Sequence, residues 1–180
     1  MTVRSENDGE TCVFASIPSP RFEEGRKEGL DRLYVEALNL VSPALAQSVE
    51  ESHGPGKLRA FAGTPGFLRR SAGPGWALVG DAGYFKDPIT AHGITDALRD
   101  AEILARAVTR GGDDALTHYQ EERNELVREL LDVSDRISAF DWDLDKVREH
   151  HLTLSREMKK EVEVLRTLDA DGPGVAGAHA

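Results

Sequence analysis

Between Gly75 and Val108 the chain reads GWALVGDAGYFKDPITAHGITDALRDAEILARAV. The residues in it with most chemistry to offer are Gly80, Asp81, Ala82, Pro88, His92, Gly93, Ile94 and Thr95. Gly80, Ala82 and Gly83 carry little or no side chain, so a ligand can approach the backbone closely. Asp81, set among them, is an acceptor-only carboxylate when ionised and suits ligand hydroxyls better than phosphates. A helix is expected to open at Gly93, where the amides of Gly93, Ile94 and Thr95 have no partner within the helix. They offer partial positive charge to an anionic or carbonyl-bearing ligand. His92, just before Gly93, is the one candidate for a catalytic side chain, orienting or filling a pocket being its ordinary alternative use. The plain reading of the whole segment is a strand–loop–helix connection with Asp81 as a cap, and the residues alone leave the two readings open.

Other patterns fail on chemistry. Gly172–Gly177 has the spacing G-x-G-x-x-G, but a helix is expected before it and only three residues follow, whereas phosphate binding needs a strand before and a helix after. Asp141–Trp142–Asp143–Leu144–Asp145 opens like a calcium loop. Its sixth position is Lys146 where the turn needs glycine, and its twelfth is Leu152 where a bidentate glutamate belongs. His150 and His151 have no ligand partner at useful spacing, and His151 is expected to pack between helices. With Cys12 the single cysteine, no multi-cysteine metal site is possible, and no metal is expected.

The elements that must position the segment follow from periodicity. Thr11–Ile17 reads as a strand, and Pro18 to Gly25 as a loop. Leu30, Leu33, Tyr34, Ala37, Leu38 and Val41 recur at helical spacing, and Ser42–Pro43 starts a second helix to about Glu51. Lys57–Ala62 and Gly66–Arg70 are short strand candidates. Trp76–Val79, apolar on both faces, reads as an interior strand delivering Asp81 to the ligand edge of an open sheet. A helix from Gly93 to Arg110 is expected to bury Ile94, Ala97, Leu98, Ala101, Leu104, Ala105 and Val108 as one stripe. Asp113 then caps a helix to about Phe140. A last one, Asp143 to Leu168, steps through Leu144, Val147, His151, Leu154, Met158, Val162, Leu165 and Leu168.

The 180 residues, 39% hydrophobic and 30% charged, suffice for an ordinary core. Acids outnumber bases 32 to 22, a formal charge of −10, which disfavours nucleic acid and anionic membrane surfaces as partners. No apolar run approaches the roughly 20 residues of a membrane span, and Met1–Asp8 lacks a signal peptide's apolar stretch, so a cytoplasmic protein is expected.

The Gly80-to-Ala101 pattern resembles the second flavin-binding motif of the FAD-dependent monooxygenases built like para-hydroxybenzoate hydroxylase, with the related halogenases and geranylgeranyl reductases. In that family a strand delivers a Gly-Asp pair, a proline follows seven residues after the aspartate, and a glycine opens a long helix. Here these are Gly80–Asp81, Pro88 and Gly93, with Asp96–Ala97 and Asp100–Ala101 continuing the helix. The close match covers about 35 residues. The family's first motif, a Gly-rich turn holding the ADP pyrophosphate, has no counterpart.

The resemblance implies an α/β fold, α+β as truncated: the helix-rich C-terminal part of a para-hydroxybenzoate hydroxylase-like FAD-binding fold without its N-terminal βαβ unit. Residues 1–70 would be a remnant of the substrate-facing sheet, 71–112 the second FAD motif, 113–169 the C-terminal helices and 170–180 a flexible tail. Asp81 would bind the ribitol chain of FAD, Pro88 would lie beside the isoalloxazine ring, and the amides at Gly93, Ile94 and Thr95 would face its N1–C2 carbonyl edge. The expected activity is that of an FAD-dependent oxidoreductase, a monooxygenase using NAD(P)H on a small organic substrate, completed by a missing N-terminal half or partner chain. The alternative is a non-catalytic helical interaction module, or a partner subunit without its own flavin, suggested by the long amphipathic helices.

Overall fold

A computed structural model describes residues 2–4, 11–52, 57–112 and 114–170. The expectations for Asp113, the Gly172–Gly177 spacing and the tail beyond residue 170 lie outside the described residues. The chain divides into two compact units, Met1–Thr64 and Pro65–Ala180.

In the first unit β1 (Thr2–Arg4) pairs antiparallel with β2 (Thr11–Val13), Val3 opposite Cys12. The strand expected to Ile17 stops at Val13. The expected loop after Pro18 is instead a short helix, α1 (Ser19–Gly25), because Pro18 and Pro20 hold backbone angles that suit a first turn. Next come α2 (Leu30–Val41), burying Leu33, Ala37 and Leu38 from one face, and α3 (Pro43–Glu51). The Ser42 hydroxyl accepts the Leu45 amide at 3.3 Å to cap α3, as its position before Pro43 foretells. Tyr34 donates its hydroxyl to the Val13 carbonyl, tying α2 to the hairpin.

The second unit is three helices with short antiparallel pairings at one side. β3 (Phe67–Leu68) pairs with β6 (Tyr84–Phe85), and β4 (Ala72–Gly73) with β5 (Trp76–Ala77). Pro74–Gly75 closes the second pair, Gly75 at φ +78° supplying the left-handed conformation such a turn requires. The interior strand expected at Trp76–Val79 is therefore a two-residue hairpin arm with Trp76 43% exposed. No open parallel sheet exists among the described residues. Apolar content alone cannot distinguish a sheet centre from a short segment laid on helices. Lys57–Ala62 forms no strand.

Helices α4 (Gly93–Arg110), α5 (Ala115–Ser138) and α6 (Leu144–Ala170) lie close to their expected bounds. α5 is the central support. One end packs Tyr119 with Ile103 and Ala107 of α4 and with Ala72 of β4; the other packs Leu130, Val133 and Ile137 with Leu154 of α6. Side chains of α5 also hold the loops. Gln120 accepts the amides of Ser71 and Ala72, Tyr119 donates to the Leu78 carbonyl at 2.6 Å, and Asp135 accepts the Gly66 amide. Burial pushes the Tyr119 phenol up to about 12, so that bond keeps its hydrogen throughout the ordinary range.

The faces of α4 are reversed from expectation. Buried are Asp96, Arg99, Asp100, Ile103 and Ala107. Much of the apolar stripe faces outward, Ile94 at 81%, Leu98 at 68% and Val108 at 60% exposure. α6 is mixed: Leu154 is buried and Met158 and Leu168 pack against the core as expected, but Glu157 and Glu161 are buried too, while Leu144, His151 and Val162 are exposed. His151 is thus not the interhelical residue it was expected to be. Periodicity finds the apolar face, and here a charged interior claims the other one.

Candidate functional site

Val79 is extended, and the chain then turns tightly through Gly80–Ala82. Gly80 is buried at φ +53°, and its amide donates to Asp100 Oδ2 at 3.0 Å. This bond anchors the turn to α4 and leaves Asp81 exposed on the next residue. A second tight turn, Pro88–Thr90, has its Ile89 amide capped by the Asp87 carboxylate at 2.9 Å. Ala91 follows in the left-handed region (φ 53°), then His92, then α4.

The turn at Gly80–Ala82 brings Asp81 to the start of α4. Asp81 Oδ1 lies 3.8 Å from where a Cβ on Gly93 would stand. Among the described residues no side chain caps the helix start. Asp81, Ala82, Pro88, Gly93, Ile94 and Thr95 are all exposed, so the carboxylate and the helix start share an open surface. Gly80 lies behind that surface. His92 does not share it: the residue is 7% exposed and its side chain turns inward to Glu161.

His92 enters a buried ionic cluster. Its Nε2 bonds Glu161 Oε2 of α6, so this ring nitrogen carries the hydrogen. Arg99 donates to the other oxygen of Glu161, to Asp96 at 2.9 Å, to Asp100 at 2.7 Å and to the Tyr84 hydroxyl at 3.2 Å. Lys86 bonds the second oxygen of Asp96. Arg123 of α5, fully buried over the Tyr84 ring, donates to Ser71 Oγ while its Nε and Nη1 find no hydrogen-bond acceptor among the described residues. The carboxylates of Asp96, Asp100 and Glu161 thus face three cations, Lys86, Arg99 and Arg123, all within the protein.

Environment shifts these groups in opposite directions. Burial raises Tyr84 far above the ordinary phenol value, and it raises Asp100 against the opposing pull of Arg99 and the Gly80 amide. Burial would raise Glu161 too, but the His92 hydrogen bond and the Arg99 charge outweigh it and leave Glu161 below the usual carboxylate range. A group so lowered contributes stability above its unfolded value, about 4.3. That contribution is lost as pH falls through the folded value. The stability difference between the parent and Glu161→Gln is therefore expected to be steady near neutrality and to shrink as pH drops below about 4.3. Urea midpoints across an acid series check this; a difference independent of pH would mean Glu161 is not held ionised by its neighbours.

His92, Asp96 and Glu161 present ligand atoms within 4.8 Å of one another, a donor set that a divalent cation accepts by type. The charges beside them do not fit one. Both oxygens of each carboxylate are already taken, by Arg99 and Lys86 at Asp96 and by Arg99 and His92 at Glu161. The cluster is structural. It was missed at the level of sequence: Asp96, Arg99 and Asp100 share one face of α4, but their partners Glu161 and Lys86 carry no local signal.

Compared with known proteins, the chain is similar to part of an oxidoreductase. The relative is a digeranylgeranylglycerophospholipid reductase of Methanocella arvoryzae, 36% identical over 78 residues. The aligned stretch is 40% of this chain and 20% of that protein, so the chain spans about a fifth of the length of the curated relative it matches. No family model and no solved structure matches the chain. None of the described helices is long and apolar enough to cross a membrane.

Proposed function

We propose that this chain supplies the ribitol and isoalloxazine side of the flavin site in an FAD-dependent oxidoreductase. The observation that carries the reading is the convergence of the exposed Asp81 carboxylate on the uncapped start of α4, 3.8 Å from a Cβ position on Gly93. The local likeness to a reductase supports it independently. Asp81 would accept hydrogen bonds from the ribitol hydroxyls, Pro88 would border the ring, and the amides of Gly93, Ile94 and Thr95 would face the ring's carbonyl edge. Ala82 and Gly93 keep the approach free of bulk.

Flavin supplies electron transfer when bound, and the residues here supply its electrostatics. A helix start favours negative charge in front of it by roughly 0.3–2 kcal/mol, so these amides would favour the reduced, anionic ring. His92, bonded inward to Glu161, is not the side chain that would touch a substrate. NAD(P)H would be the reductant. Between hydroxylation and reduction of a small organic substrate, the named activity of the relative favours reduction. The ADP portion of FAD would be held by a nucleotide-binding half, on the same polypeptide or a partner chain.

Asp81→Ala tests the assignment. A hydrogen bond to a charged group is worth about 1.5–3 kcal/mol, so FAD or riboflavin affinity is expected to fall about 10- to 100-fold. Thermal stability without ligand should stay within about 0.5 kcal/mol, because the side chain is exposed. Fluorescence titration and melting with and without flavin give both quantities. Undiminished flavin affinity in the variant rejects the role of Asp81. A chain whose melting midpoint flavin never raises favours the interaction-module alternative.

A further inference from the structure

We propose that Glu161 is a positioning residue: through its bond to His92, α6 sets the direction of the α4 start that faces flavin, an inference that rests on the function proposed above. His92 is the last residue before α4, and its own carbonyl accepts the Asp96 amide at 3.1 Å to close the first turn. Holding its side chain therefore holds the turn. The His92 side chain makes no cap hydrogen bond to that helix end itself. The preceding Ala91 is left-handed, a conformation that a residue with a side chain keeps only where its surroundings enforce it.

Glu161 grips α4 at two heights. One oxygen takes His92, before the helix, and the other takes Arg99, in its second turn. Arg99 in turn holds Asp100, which accepts the Gly80 amide next to Asp81. One carboxylate of α6, only 2% exposed, thereby links both halves of the proposed flavin face, the amides at 93–95 and the turn that carries Asp81. Asp96 faces His92 from α4 itself, its Oδ1 3.8 Å from His92 Nε2. That oxygen is committed to Arg99, which leaves Glu161 as the partner of the histidine.

The test needs no bound ligand in its first arm. Amide hydrogen exchange and amide chemical shifts are measured on the full chain, the Glu161→Gln variant and a Glu157→Gln control. Glu157 is a neighbouring low-exposure carboxylate of α6 that pairs only with Arg156 and Lys160 of its own helix among the described residues. Glu161→Gln is expected to speed exchange at the Asp96 amide at least tenfold and to shift the amides of Gly93–Thr95. The centre of α5, Val127 to Val133, should exchange as in the parent, and the control should change neither. In the second arm, riboflavin fluorescence should report about tenfold weaker binding for Glu161→Gln and no change for Glu157→Gln.

Unchanged exchange at Asp96 overturns the proposal. Exchange that quickens equally through α5 also overturns it, since Glu161 would then only stabilise the unit. A loosened α4 start with undiminished riboflavin affinity removes its connection to flavin. If the parent itself binds no riboflavin, the functional reading fails, while the exchange pattern still decides whether Glu161 positions the helix. Should Glu161→Gln not fold, His92→Ala breaks the same bond while leaving Glu161 on Arg99, and it is judged by the same exchange criterion.

Discussion

Replacing Arg99 by methionine is expected to cost the Pro65–Ala180 unit about 3–5 kcal/mol, the usual consequence of removing one partner from a buried ion network. Arg99 is 1% exposed and donates to Asp96, Asp100, Glu161 and Tyr84, so its loss leaves three buried carboxylates with too little compensation. A domain's whole stability is about 5–15 kcal/mol, and the variant would stand near the edge of folding at room temperature. Lysine should recover only part of the loss, because a single ammonium cannot reproduce a planar fork reaching three carboxylates. Arg136→Met provides the contrast. Arg136 pairs with Asp132 on the exposed face of α5, both side chains at least half exposed, and such a pair is worth at most about 1 kcal/mol. The only tryptophans, Trp76 and Trp142, both lie in this unit, so their fluorescence in a denaturant titration reports its unfolding directly. An Arg99→Met protein within about 1 kcal/mol of the parent would refute the arrangement of the cluster, since removing one partner of a buried pair should cost several times that.

The same cluster explains what the sequence could and could not reveal. Helix bounds were legible from α2 onward, though not for α1: the glycine breaks at Gly111–Gly112 and the proline at Pro43 act locally, and α4 runs from Gly93 to Arg110 as its pattern indicates. Strand extents were not legible, because Trp76–Val79 has the apolar content of a sheet centre but pairs only through Trp76–Ala77 with β4, while Tyr119 of α5 takes the Leu78 carbonyl. Helix orientation was misread for a sharper reason. Hydrophobic periodicity assumes that the apolar face is the buried one. In α4 the buried face holds Asp96, Arg99 and Asp100, permissible only because Lys86 and Glu161 arrive from 10 and 62 residues away to complete the hydrogen bonding, with the charge of Arg123 beside Asp100. No local window contains that information. The outward stripe of Ile94, Leu98 and Val108 then stands as apolar surface, contiguous at Ile94 with the proposed flavin face. The Asp81 and Gly93 pair was legible because two short turns in one stretch of sequence set its geometry.

The first of those turns is set at Gly80, where alanine is expected to cost about 2–4 kcal/mol through two separable causes. The first is backbone strain. At φ +53° a residue with a Cβ loses about 1–2 kcal/mol relative to glycine. The second is collision: the new methyl would stand 2.9 Å from the Ala97 Cβ and 3.3 Å from its Cα, in a helix backbone that cannot yield cheaply. Gly75→Ala isolates the first cause, since Gly75 sits at φ +78° with nothing within 4 Å of the added atom. Ala97→Gly combined with Gly80→Ala isolates the second. Glycine at 97 costs about 1 kcal/mol of helix propensity alone, yet in the double variant it should return most of the collision energy, leaving strain, propensity and the 3.3 Å contact with the Cα of residue 97. Binding should follow the collision rather than the strain. Displacing Gly80 pulls its amide from Asp100 and moves Asp81 away from Gly93, so flavin affinity falls in Gly80→Ala, returns in the double variant and is untouched in Gly75→Ala. Equal flavin affinity in all four proteins would mean that the turn at Gly80 does not aim Asp81 at all.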